Sequence, residues 1–324
     1  MNKRIAVMIL GPLGDVINTT GVFKHLRASY PDAEISIITI DRALAAVAGI
    51  PEIDNVYSIK NRKSFIQTLK FGLSLKGKFD TIVVLDNSLR SAYLAFFTGT
   101  KRRIGRGEQF RELFLTDVIP YLDEEKQMKI PVSEHYARCL HPLGIYREGL
   151  ETYFNFHKED CDRVLEMLKL QGLDNKKLLG ICPACHLESK SLQAADLAAI
   201  IKKINNDNKY KPVIIGGNDI RDMVSELKEF SNLEYYDFAG KTKFLETAAL
   251  IDKCTKFISI DSSCMHLALA RKVPTTAIFF SNLAEKWGPK DLRRNNLYVN
   301  LESKQVDIDE IMKQVESLPE KSIL

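Results

Sequence analysis

The chain has 324 residues, 45% hydrophobic and 27% charged, with 17 glycines and 11 prolines; this fits a globular protein of about two domains and excludes a disordered tail, a collagen-like repeat and a low-complexity chain. Its 46 basic and 42 acidic side chains leave a net charge of +4, too small for an electrostatic footprint on nucleic acid. No apolar run approaches the roughly 18 residues of a membrane span, and the opening MNKRIAVMIL meets Gly11, Pro12, Gly14 and Asp15 too soon for a secretory core, so a cytoplasmic chain with its six cysteines reduced is expected.

Arg4–Leu10 is a short continuous apolar run, the pattern of a buried parallel strand. It ends in Gly11-Pro-Leu-Gly14-Asp15. A helix is expected from Asp15 to Ser29, with Val16, Thr20, Phe23, Leu26 and Tyr30 on one face and Pro31 as its stop. Glu34–Thr39 is the next strand and completes a βαβ unit with a right-handed crossover. Val56–Ile59 and Thr81–Leu85 read as strands, Arg62–Leu73 and Ser88–Phe97 as helices. A second series follows Tyr153–His157. Its strands are expected at Leu178–Cys182, Pro212–Ile215, Phe257–Ile260 and Thr275–Phe280, and its helices at 159–171, 192–206, 218–230, 244–252 and 263–271. A last amphipathic pattern, Asp307–Ser317, is expected to pack back on the first domain. Two successive β/α series imply an α/β protein of two doubly wound domains, 1–157 and 158–324.

Ligands of such sheets bind beyond the carboxyl ends of the strands. That rule selects Gly11–Asp15, Pro183–Lys190, Gly216–Asp219 and Asp261–His266. The first loop is neither a dinucleotide fingerprint nor a P-loop. Asp15 suits the positive start of a helix, or a general base at the mouth of a cleft. Asp261, Ser262 and Ser263 are good helix caps, and the same helix start would suit a phosphate. His266 could face ligand or core. Lys190 is a solvated loop lysine or a point charge for a diphosphate. Cys182-Pro-Ala-Cys185-His186 matches the haem-attachment pattern C-x-x-C-H. No export segment or second cysteine pair supports haem or zinc, so two thiols beside a ligand loop are the expected reading. Lys101-Arg102-Arg103-Ile-Gly-Arg106, with Arg111 beyond, is a solvated basic surface or a site for an anionic acceptor. Residues 1–157 hold 21 basic and 17 acidic side chains against 25 of each in the remainder, so the charge excess lies in the first half.

A family comes into view when these pieces are taken in order. They are Ile9–Val16 with Pro31-Asp-Ala-Glu-Ile35, Arg103-Ile-Gly-Arg106, His135–Leu140 with Leu143-Gly, Phe238–Thr242 with Leu245–Ile251, Ser259–Ala268 and Trp287-Gly-Pro289. The ordered set resembles glycosyltransferase family 9, the heptosyltransferases of lipopolysaccharide core synthesis. Ser263-Cys264 replaces the Gly-Pro of the family's usual donor loop, and Phe280-Ser281-Asn282 stands where Gly-Pro-Thr is usual.

The resemblance implies a GT-B fold: two Rossmann-like domains facing across a cleft, the first for the acceptor and the second for a nucleotide sugar. It implies an inverting, metal-independent transfer of heptose from ADP-heptose to a lipopolysaccharide-core or related anionic glycan. By the matched positions Asp15 would be the general base. Lys190, Ser262, Ser263 and Met265 would hold the diphosphate, Asp261 the donor sugar with His266 beside it, and Gly216, Gly217 and Asp219 would lie near the nucleoside. Gly14, Arg102, Arg103 and Arg106 would serve the acceptor. Neither cofactor nor nucleic acid is expected, and a lipid-bearing acceptor would bring peripheral contact with the inner face of the membrane. The altered Ser263-Cys264 loop motivates one alternative, a non-catalytic relative that binds nucleotide sugar or glycan.

Overall fold

The computed structural model describes residues 3–60, 64–123, 129–147, 150–280, 284–288, 296–298 and 306–321. The expectations that touch Arg62, Ser281-Asn282 and Pro289 fall outside these residues. The chain divides into two compact units, residues 1–152 and 153–324.

The first unit is built on β1 (Arg4–Met8), β2 (Glu34–Ile40), β3 (Asn55–Ile59), β4 (Thr81–Val84), β5 (Arg102–Arg106) and β6 (Asp117–Ile119). They form one parallel sheet in the order β3-β2-β1-β4-β5-β6. The central strands are apolar on both faces and buried on both, which suits strands covered by helices on each side. Its helices are α1 (Leu13–Asn18), α2 (Thr20–Ser29), α3 (Leu44–Val47), α4 (Phe65–Ser74), α5 (Leu89–Phe97) and α6 (Val132–Arg138).

The helix expected over Asp15–Ser29 begins earlier and is broken at Thr19. Two threonines explain the break. Thr19 Oγ1 donates to the Val16 carbonyl at 2.7 Å and Thr20 Oγ1 to the Ile17 carbonyl at 2.8 Å. Such back-bonding by β-branched hydroxyls competes with the helical ladder and bends it.

The second unit repeats the plan. Its strands are β7 (Leu178–Cys182), β8 (Lys211–Ile214), β9 (Tyr236–Asp237), β10 (Lys256–Ile260), β11 (Thr275–Phe279) and β12 (Asn296–Tyr298), in the parallel order β12-β11-β10-β7-β8-β9. Its helices are α7 (Lys158–Leu170), α8 (Ala194–Asp207), α9 (Arg221–Glu226), α10 (Phe244–Asp252), α11 (Ser263–Ala270), α12 (Ala284–Trp287) and α13 (Ile308–Ser317). Numbered within its own unit, each sheet has the strand order 3-2-1-4-5-6, the Rossmann order. The order reverses between β1 and β4 in one sheet and between β7 and β10 in the other.

The last helix corrects an expectation. It belongs to the second unit and packs on α8, β10 and β11. Ile311 and Val315 on its apolar face are buried in that unit's core. Lys256, buried on β10, donates to the Val315 carbonyl at 2.6 Å and the Glu316 carbonyl at 3.3 Å. A cation at the negative end of a helix is favourable, so β10 holds both the face and the end of α13. Among the described residues no helix is long and apolar enough to cross a membrane.

Candidate active site

The reversal between β1 and β4 creates a crevice beyond their carboxyl ends. Leu10 N, just past β1, donates to Asp86 Oδ2 at 2.8 Å. Asp86 follows β4 and also accepts from Ser88 N at 3.0 Å and Ser91 Oγ at 2.7 Å. One carboxylate therefore ties the end of β1 to the start of α5. The chain then turns through Gly11-Pro12 into α1, with Gly14 buried in the first turn. Asp15 is half-buried there, and its carboxylate folds back on Gly11: a Cβ at position 11 would lie 2.1 Å from Asp15 Oδ2. Glycine is needed here for close approach. Tyr136 of α6 is buried nearby. Burial first, then the charges of Asp15 and Asp86, push its phenol well above the ordinary value. Asp86 and Tyr136 were not found from the sequence. Asp86 had a usable signal, a carboxylate directly after a strand; Tyr136 had none.

The arginines expected to meet the acceptor are brought to β5 and its flanks, but their guanidinium groups serve the protein itself. Arg106 is 1% exposed and donates to the carbonyls of Pro120 at 2.7 Å and His135 at 3.3 Å. Arg102 pairs with Asp117 at 3.0 Å and donates to the Pro142 carbonyl at 2.5 Å. Arg103 donates to the carbonyls of Phe114, at 2.6 Å, and Thr100. Arg111 is also buried and donates to the carbonyls of Arg106 and Gly107, each at 3.1 Å, and of Asn87 at 2.7 Å. This corrects the expected open cationic patch. Arginine's planar fork satisfies several buried carbonyls at once, and β5 went unread as a strand because that use hides behind its charged sequence.

The second crevice lies where β7 and β10 end. Asp261 N extends the β10 ladder to the Ile278 carbonyl at 3.2 Å. Ser262 caps α11, its Oγ accepting from Met265 N at 3.4 Å. The same hydroxyl lies 3.2 Å from Ser259 Oγ and 3.5 Å from Cys182 Sγ. Beyond that cap, the first-turn N–H groups of Ser263 and Cys264 have no carbonyl four residues back inside the helix, and they sit at its positive end. Lys190, on the turn Glu188–Lys190, donates to Asp261 Oδ2 at 2.6 Å. The Asp261 side chain is 11% exposed and that of Lys190 31%. One turn into α11, His266 is buried and stacks edge-on to Trp287 at 6.4 Å. Burial pushes its pKa down to about 4, opposed by the charge of Asp261 and aided by that of Lys190, so the imidazole is neutral at neutral pH.

Not every expected donor contact is available. Met265 is wholly buried with Ala277, Phe279 and Ala284, and its N–H is taken by Ser262. It anchors α11, which corrects its expected place at the diphosphate. Gly217 and Asp219 lie exposed where β8 turns toward α9, and the buried Gly216 accepts from Gly240 N at 2.9 Å. Gly240 has φ +66°, and a Cβ there would meet Asn218 Oδ1 at 2.1 Å, so this crossing of backbones needs glycine. The thiols of Cys182 and Cys264 are buried against each other. Their hydrogen bond, with burial, raises Cys264 well above its ordinary value. Among the described residues no group of three or more His, Cys, Asp or Glu side chains could hold a metal ion.

Known proteins share this framework. The model of the family described as glycosyltransferase family 9 (heptosyltransferase) matches residues 68–316. A lipopolysaccharide heptosyltransferase 3 of Escherichia coli is 26% identical over 292 residues, covering 85% of this chain and 83% of its own length. The solved family 9 glycosyl transferase of Veillonella parvula has a TM-score of 0.85 at 22% identity, over 98% of this chain and 97% of its own. The E. coli ADP-heptose lps heptosyltransferase II has a TM-score of 0.79 at 21% identity, over 97% and 98%. The two structures establish the fold class, two Rossmann-like units of the GT-B type.

Two outcomes follow from this geometry. Arg106→Met removes two buried charge-assisted hydrogen bonds, to the Pro120 and His135 carbonyls, which keep their second partners in Arg138 and Cys139, and should lower unfolding free energy by about 1–3 kcal/mol. Urea titration reads this directly. Unchanged stability with weakened acceptor binding would return Arg106 to the acceptor. His266 gives a pH signature. Between its unfolded value, about 6.5, and its folded value near 4, the unfolded chain takes a proton that the folded chain refuses. Stability should therefore fall as pH drops through that window, by on the order of 3 kcal/mol. His266→Gln should lack that slope, so the difference between the two stability–pH curves should carry it; parallel curves would contradict the burial of a neutral imidazole.

Proposed function

The chain belongs to glycosyltransferase family 9, and on that premise we propose that this glycosyltransferase moves a heptose from ADP-heptose onto a hydroxyl of a lipopolysaccharide-core glycan, inverting the anomeric centre without a metal ion. One observation carries the donor assignment. Within the matched range, Lys190, Asp261 and the capped start of α11 meet at the β7–β10 reversal. A helix start and an ammonium group are the features that recognise a diphosphate.

In this reading the donor diphosphate lies against the N–H groups of Ser263 and Cys264 and draws Lys190 toward it. Both stabilise the charge that grows on the leaving ADP as the glycosidic bond breaks. Asp261, which orients Lys190, offers its carboxylate to the donor sugar. His266 stays neutral and adds no competing charge. Gly216, Gly217 and Asp219 border the nucleoside. The positive charge that a metal would bring to the diphosphate comes here from Lys190 and the helix.

Asp15 is the proposed general base. It takes the proton of the acceptor hydroxyl as that oxygen attacks the anomeric carbon from the face opposite ADP. Gly11 keeps a side chain away from this carboxylate, Gly14 beside it borders the acceptor, and Asp86 fixes the turn that carries them. A lipid-bearing acceptor would place the reaction at the inner face of a membrane.

Asp15→Asn keeps the shape of the turn and removes the base. Transfer from ADP-heptose should fall by roughly 10²–10⁴-fold, while ADP should still raise the melting temperature as in the unmodified protein. Full transfer by the variant would remove Asp15 from the chemistry.

A further inference from the structure

Three cysteines gather where β7 and β10 end. Cys182 is the last residue of β7, Cys185 lies in the loop after it, and Cys264 is the second residue of α11. All three thiols are free; Cys182 and Cys264 are buried, and Cys185 is half-buried. Cys264 donates its S–H to Cys182, and Cys182 donates in turn to the Ala184 carbonyl at 3.7 Å. The Cys182 sulfur also lies 3.5 Å from Ser262 Oγ, the hydroxyl that caps α11. The proposed transfer uses neither thiol, yet the pair joins the end of β7 to the helix start assigned to the diphosphate. Cys264 stands where the family's usual donor loop has proline, so this contact is the chain's own.

Two features separate this pair from ordinary buried cysteines. The first is the setting of Cys182. The hydrogen bond from Cys264 lowers its pKa; burial opposes, and the Ser262 and Ser259 hydroxyls add to the lowering. The net direction is toward the thiolate, which is the nucleophile. Cys254 shows the contrast: burial dominates there and pushes the thiol up to about 12. The second feature is contact. Two touching thiols need no other protein group to form a disulfide once one of them is oxidised. Cys185 is the poorer partner. Burial raises its pKa, and its S–H is given to the Leu187 carbonyl at 3.7 Å. The C-x-x-C spacing that stands out in the sequence is therefore not the reactive pair.

We propose that Cys182 and Cys264 are an oxidation site for hydrogen peroxide, and that the disulfide they form loosens the donor site; the second part rests on the reading of that site as the ADP site. The Cys182 sulfur attacks one peroxide oxygen and the O–O bond breaks. The thiol proton goes to the departing hydroxide, leaving a sulfenic acid and one water. The Cys264 sulfur then attacks the Cys182 sulfur and the S–O bond breaks. Hydroxide leaves with the Cys264 proton as a second water. Two thiols lose two electrons and one peroxide becomes two waters. A covalent S–S bond is far shorter than the contact it replaces, so the first turn of α11 is drawn toward β7. The Ser262 cap and the N–H groups of Ser263 and Cys264 move with it, away from the diphosphate. In a reducing compartment such a disulfide is transient and redox-sensing.

The test treats the full chain with hydrogen peroxide, removes the excess with catalase, and compares it with the untreated protein. Peptide mapping without reductant should recover Cys182 joined to Cys264. The intact mass should fall by two hydrogens, and the thiol count in denaturant should fall by two from six. ADP should bind the oxidised form more weakly by roughly tenfold or more, the loss of one hydrogen bond to a charged group, and dithiothreitol should restore the affinity. Cys182→Ser should bind ADP as the untreated protein does and ignore peroxide, while Cys185→Ser should respond like the unmodified chain. The mapping needs no variant, so it decides the matter even where Cys182→Ser does not fold. A Cys182–Cys185 bond, a sulfinic acid without a disulfide, six thiols surviving peroxide, or equal ADP affinity in the two forms would overturn the proposal. A Cys182–Cys264 bond in a protein that binds no ADP even when reduced would leave the oxidation site standing and remove the donor reading instead.

Discussion

In each sheet the first strand of the unit pairs on both sides, β1 with β2 and β4, β7 with β8 and β10. The chain leaves such a strand toward one side and later returns on the other. Loops that follow the two neighbours must therefore diverge, and a crevice opens between them. The groups proposed to act on the reacting atoms sit at these two reversals, while Gly216–Asp219, proposed to border the nucleoside, follow β8. Gly11–Asp15 and Asp86 follow β1 and β4; the 183–190 loop and Asp261–His266 follow β7 and β10. The same constraint explains why strands rich in Val and Ile matter to function: their two-sided burial fixes the register that brings the loops together.

The two crevices carry opposite electrostatic characters. In the first, carboxylates dominate. Asp15 and Asp86 lie close enough to Tyr136 to raise its phenol further, and Arg102, Arg103, Arg106 and Arg111 are committed to backbone carbonyls. In the second, the helix start and Lys190 supply positive charge, with Asp261 holding Lys190 in place at 2.6 Å. A base needs the first setting and a departing diphosphate the second. The division of labour proposed for the two units would rest on which charges folding leaves available in each.

Much of this was legible in the sequence, for stated reasons. Continuous apolar runs marked β1, β2, β4, β7, β10 and β11, because strands buried on both faces have no polar side to disguise them. The strand-end rule then picked loops that do lie at the carboxyl ends of strands. It failed where burial is achieved by unusual means. β5 reads Arg-Arg-Ile-Gly-Arg and looks like a solvated cluster; only the tertiary structure shows that its arginines lie against carbonyls. Met265 stood inside a motif of ligand-like neighbours, yet helical geometry turns its side chain to the core. Asp86 was passed over because an aspartate two residues before a helix cap looks like ordinary turn chemistry, and it does accept from Ser88 N. The last helix carried an amphipathic pattern that says it must pack, and nothing in that pattern says against which unit.

The account stands on the β7–β10 crevice as a nucleoside-diphosphate site. The most direct measurement is the thermal shift produced by ADP, compared with UDP and GDP, on the unmodified protein and on Lys190→Ala. A ligand bound only by the folded state stabilises it by RT ln(1 + [L]/Kd), about 2.7 kcal/mol at a hundredfold excess over Kd. Comparing each protein with and without ligand cancels any change in intrinsic stability. The account predicts a rise with ADP that exceeds those with UDP and GDP and is largely lost in Lys190→Ala. No shift with ADP, or an equal shift in the variant, would contradict it.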